Sequence, residues 1–196
     1  MPTLPDDLQR LIETMNAADK AAEDLSAALP DQDFFWRPDG GTRWSVALCL
    51  DHLAVANDIY GRAIEGGLAT ARERGLRRRD PVTPGFLGRK FAESLEPPVK
   101  RRTSAPGKIK PQATRTRAEI LAAYREAHDR IRELIVESAD LDANRATFKN
   151  PFIGIVRMKV SSAFHIIAAH DRRHIWQAQQ VMTALRANVA STGSRP

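Results

Sequence analysis

The chain has 196 residues, 42% of them hydrophobic and 28% charged, enough for one domain with a substantial core. Its single cysteine, Cys49, excludes an intramolecular disulfide and fits a reducing compartment. No apolar run approaches the roughly eighteen residues of a membrane span, and the acidic start MPTLPDDLQR has no signal-peptide character, so a cytoplasmic protein is expected.

Net charge is +6 and the isoelectric point about 9.9, which raises nucleic acid or small anions as partners. The charge is local. Residues 72–117 hold 14 Lys and Arg against 4 Asp and Glu, a local +10, so the rest of the chain sums to −4.

The pattern predicts a first helix over residues 5–29. Leu8, Leu11, Ile12, Met15, Ala18, Ala22, Leu25 and Leu29 follow the three-four spacing of an apolar face, and Pro30 ends it. A connector follows with Pro-Asp-Gly-Gly turn chemistry, whose Phe34, Phe35 and Trp36 are expected to plug the end of a helix bundle. Ser45 is a plausible N-cap for a second helix whose apolar stripe has His52 at its centre. Gly66 and Gly67 are expected to end or interrupt that helix.

From 75 to 116 the chain is basic and proline-rich, an insertion expected to pack over the helices through Phe86, Leu87 and Phe91, with a short helix near 87–95. A third helix is expected over 117–139, with His128 on its flank. A fourth is expected from about 156 to 185, followed by a flexible tail over 187–196. No strand alternation and no internal repeat stand out. The predicted fold is all-α: an antiparallel four-helix bundle over 1–186 with the insertion between helices 2 and 3.

In SAFHIIAAHDRRHIWQAQQV, residues 162–181, seven positions share one helix face at about 100° per residue: Ala163, Ile166, Ile167, His170, His174, Gln177 and Val181. His170 and His174 are one turn apart, the spacing by which a helix offers two imidazoles to one ion. A lone histidine here would read as a core imidazole satisfied by hydrogen bonds. Three at the centres of two stripes, with His52, read as a metal site.

Three imidazoles leave positions open for water or substrate, as catalytic sites do. They suit zinc, nickel, iron or copper, with zinc or nickel expected here. Gln177 continues the ligand face. Cys49 could approach as a soft ligand but reads better as a small buried hydrophobe. Asp51 and Asp171 are rotated by about 100° from their histidine neighbours and could orient a ligand or lie in solvent. His165, about 140° from His170 and about 180° from His174, faces away.

The segments WSVALCLDHL, GFLGRKF with its following prolines, and AAHDRRHIWQAQQV together resemble the DinB/YfiT-like superfamily, in particular its DinB-like branch. The resemblance spans nearly the whole chain. It implies a four-helix bundle with a divalent metal on three histidines, which carry over as His52, His170 and His174. It also implies a metal-dependent transferase acting with a low-molecular-weight thiol, or a hydrolase; a non-catalytic metal- or ligand-binding bundle, which needs the same three ligands, is the competing expectation.

The expected partner is a small, anionic substrate, and a homodimer is an allowed assembly. Specific nucleic-acid binding is not expected. The basic insertion carries only Phe86 and Phe91 as stacking aromatics, and clusters such as Arg77-Arg78-Arg79 and Lys100-Arg101-Arg102 come with no recognition motif.

Overall fold

The computed structural model describes residues 3–99, 106–111 and 114–192, and the cluster at 100–102 lies outside them. The described chain is mostly helical with one small two-stranded sheet. Its helices are α1 (Asp6–Ala27), α2 (Asp31–Phe34), α3 (Pro38–Gly41), α4 (Val46–Glu73), α5 (Phe86–Leu95), α6 (Arg117–Glu137) and α7 (Val160–Thr192). Strands β1 (Thr147–Lys149) and β2 (Arg157–Lys159) pair antiparallel, and a 3₁₀ turn spans Gly107–Ile109. No described helix is long and apolar enough to cross a membrane.

Local chemistry explains the starts. Asp6 and Asp7 sit in the first turn of α1, where the helix dipole favours acid. Ser45 caps α4 by accepting a hydrogen bond from Leu48 N at 3.1 Å. Thr116 and Glu119 form a reciprocal capping box at the start of α6. α4 packs against both α6 and α7, and α1 packs against the same two helices.

Several expectations need correction. Gly66 and Gly67 do not break α4, which continues to Glu73. A Cβ on Gly67 would lie 3.3 Å from both Phe148 Cβ and Val160 Cγ2, so this glycine lets β1 and the start of α7 approach the helix. The strands replace the expected early start of the last helix. At three residues each they are too short to display alternation in the sequence. That helix runs past Leu185 to Thr192 through Ala187, Val189 and Ala190, with no glycine or proline before Gly193 to stop it.

The insertion does form a short helix, but Phe86 and Leu87 are exposed and Phe91 is half-exposed. Val82, Leu95 and Ile109 are its buried anchors. Phe34 is fully buried as expected, whereas Phe35 reaches solvent.

The core divides into two apolar clusters. One contains Leu8, Leu11, Met15, Ile64, Leu68, Ile131, Leu134 and Ile167; the other contains Ala22, Leu25, Leu50, Leu53, Ile120, Ile175 and Val181. Each long helix contributes to both, and the change of cluster falls at the same level on all four. Polar residues occupy that level: Asp19 on α1, His52 and Asn57 on α4, His128 on α6, and His170, Asp171 and His174 on α7.

Candidate metal centre

α4 and α7 carry the three histidines into this polar layer. His52 and His174 are buried and His170 is half-buried. One ligand atom from each lies within 4.8 Å of the others, and among the described residues this is the group of His, Cys or acidic side chains that could hold a metal ion. The ring centroids are 4.5 to 4.9 Å apart.

The donor chemistry fits an ion. His52 Nδ1 donates to the Ile109 carbonyl at 2.5 Å, so its proton is on Nδ1 and Nε2 offers a lone pair. His52 Nε2 lies 3.1 Å from His170 Nε2. Two nitrogens each about 2.0–2.1 Å from one zinc ion sit about 3.0–3.4 Å apart at near-tetrahedral angles. The His174 Nδ1 atom is buried without a hydrogen-bond partner, although the Gln177 amide beside the ring favours the protonated form.

Burial favours the neutral form of all three imidazoles, and repulsion from the neighbouring histidines adds to it at His170 and His174. Burial, reinforced by His52, pushes His170 down to about 3. Burial, with His170 and His52, holds His174 well below its ordinary range, and burial lowers His52 against the pull of the Ile109 carbonyl. Neutral imidazoles with free lone pairs are the form that binds metal.

The group opens into a cleft of about 1060 Å³. Trp44 forms part of the wall, stacked on His174 with centroids 5.6 Å apart and tilted against His52 at 4.9 Å. Arg37, Arg43, Lys110 and Arg173 also line it, and among the described residues its wall carries no carboxylate.

The other sequence candidates separate. Gln177 lines the cleft. Cys49 is fully buried in an apolar cluster outside the histidine group, and burial pushes its thiol up. Asp51 pairs with Arg115 at 2.8 Å. His165 turns its Nδ1 to the Ser161 carbonyl at 2.8 Å, apart from the site.

Asp171 faces away from the cleft. It accepts from Asn57 Nδ2 at 3.0 Å and lies 3.6 Å from His128 Nε2, whose Nδ1 is 2.7 Å from Asp19. Burial alone would lower His128, but Asp171 and Asp19 outweigh it and push the imidazole up to about 9. The two carboxylates thus favour a protonated His128 on the far side of α7's histidines, while Asn57 Nδ2, 3.0 Å from His128 Nε2, suits an accepting, neutral ring.

Sequence reasoning missed Trp44 as a wall, although it lies in the WSVALCLDHL segment, and missed Asn57. The polar residues Asp19, Asn57, His128 and Asp171, one on each long helix, were the available signal for the second network. Nothing in the residue types marks the Ile109 carbonyl.

No curated protein and no solved structure matches the chain. A family model described as the DinB superfamily matches residues 5–178. That span takes in every residue of the histidine group, and the chain belongs to the DinB superfamily.

Proposed function

We propose that the protein is a metal-dependent small-molecule enzyme built on an antiparallel four-helix bundle, with His52, His170 and His174 as ligands of one divalent ion, zinc or nickel. The single observation that carries this reading is the convergence of three neutral imidazoles at the floor of an open cleft. When bound, the ion supplies Lewis acidity that favours the deprotonated form of a thiol or water.

The chain's own residues favour thiol transfer over hydrolysis. The described cleft wall has no carboxylate to serve as a general base, so a nucleophile must arrive already deprotonated or be made so at the ion. A thiol, with its ordinary value near 8.5, meets that condition more easily than water. Arg37, Arg43, Lys110 and Arg173 would draw and orient an anionic substrate or thiol cosubstrate. Trp44, Phe91, Phe152 and Trp176 give the cleft apolar walls for the rest of the molecule.

Specific nucleic-acid binding is not part of this reading. Arg78 is bound to Asp7 at 2.7 Å and Arg77 to Asp140 at 2.7 Å, so two members of that basic cluster engage the fold's own acids.

The test is an assay of the metal-loaded protein with electrophiles and several cellular thiols, run beside a panel of esters and amides. Metal-dependent loss of thiol is the expected result. Hydrolysis without thiol consumption would support the hydrolase reading. No turnover across both panels, with metal bound, would leave a ligand-binding bundle.

A further inference from the structure

Residues 106–111 form part of the cleft wall, with Pro106, Ile109, Lys110 and Pro111 all lining it. The segment is held by its own turn, Ile109 N to the Pro106 carbonyl at 3.0 Å, and by burial of the Ile109 side chain to 6% exposure. Its 3₁₀ turn packs on α4. The short polar link to the helices is the 2.5 Å bond from His52 Nδ1 to the Ile109 carbonyl, 57 positions along the chain. A second link, from Lys108 Nζ to the Pro151 carbonyl, is long at 3.4 Å.

We propose that this segment is a latch tightened by metal: the bond between His52 and the Ile109 carbonyl couples occupancy of the three-histidine centre to seating of the 106–111 wall. The inference rests on the reading of those histidines as ligands. A cation at Nε2 withdraws electron density from the ring and makes Nδ1–H a stronger donor to the carbonyl. In turn, the carbonyl fixes the tautomer and orientation that present Nε2 and raises the basicity of the ligand. The coupling is reciprocal by linkage: whatever the ion adds to seating, seating adds to affinity for the ion.

The cleft itself follows. Lys110 is the cation next to the latch carbonyl, so it is placed at the mouth only when the segment is seated. Metal therefore prepares the anion-binding wall as well as the floor.

The test is hydrogen–deuterium exchange of the backbone amides in 106–111, measured on the full chain with and without saturating zinc or nickel. We expect exchange there to slow several-fold on metal loading, and to stay fast in His52→Ala with or without added metal. Ile109→Gly, which removes the seated side chain, should weaken metal affinity in a chelator competition by about 10–100-fold, with the helical circular dichroism unchanged. Metal bound by the wild type with identical exchange in both states overturns the latch and leaves the metal centre standing. An Ile109→Gly chain that is folded and binds metal like the wild type does the same. A wild type that binds no metal at all overturns both.

Discussion

Replacing His128 with leucine tests the buried network beside the site. The His128 ring lies 2.7 Å from Asp19 and 3.6 Å from Asp171, and all its exposure is lost. Removing one partner of a buried ion pair costs about 3–5 kcal/mol, because the other charge is left uncompensated. Here Asp19 keeps Arg132, and Asp171 keeps the 3.0 Å hydrogen bond from Asn57, so the lower end, about 3 kcal/mol, applies.

The titration gives a similar size. The imidazolium is held at about 9 in the fold against an ordinary 6.5, and at 1.36 kcal/mol per unit that is also about 3 kcal/mol. The folded chain holds its proton more tightly than the unfolded chain, so this stability is fully present below about pH 6.5 and is lost as pH rises through about 9. Urea unfolding of wild type and His128→Leu between pH 6 and 9.5 measures it. The wild type should lose stability across that window while the variant stays flatter, and the gap at pH 6 should be about 3 kcal/mol. A gap under about 1 kcal/mol, or parallel pH profiles, would show that His128 is a neutral core imidazole and that the charged-network reasoning is wrong.

Other outcomes are as specific. Gly67→Val should destabilise by about 1–3 kcal/mol through its 3.3 Å contacts to Phe148 and Val160, whereas Gly66→Ala, with nothing within 4 Å, should stabilise by about 0.5–1 kcal/mol in thermal melts. Cys49→Ala should leave metal affinity unchanged in a chelator competition, because the thiol lies in the apolar cluster outside the histidine group. A fluorescent anionic thiol should bind Arg43→Gln more weakly than wild type by about 0.2–1 kcal/mol, the worth of one ion pair at a partly exposed wall. Equal binding would remove Arg43 from the recognition surface.

Helical periodicity carried most of what could be read before the fold was known. The stripes of α1, α4, α6 and α7 are long enough for their buried faces to be assigned, and the same arithmetic grouped His170 with His174 and put His165 aside. It failed where the cause is tertiary. Gly67 looks like a breaker until Phe148 is seen against it, and Phe86 and Leu87 look like anchors until Leu95 is found beneath their helix. His128 looked marginal because a single helix does not reveal Asp19 and Asp171 arriving from two others. The latch was invisible for a simpler reason: a backbone carbonyl has no side chain to read.

The central claim is that His52, His170 and His174 share one divalent ion, and metal stoichiometry tests it most directly. Cobalt titration of the metal-stripped chain, followed by its visible d–d bands and by elemental analysis, should saturate at about one ion per chain, as three ligands on one open site require. His174→Ala should lose the bands and most of the affinity, while His165→Ala, whose Nδ1 is committed to Ser161, should titrate like the wild type. Equal metal retention in the two variants, or no uptake by the wild type, would contradict it.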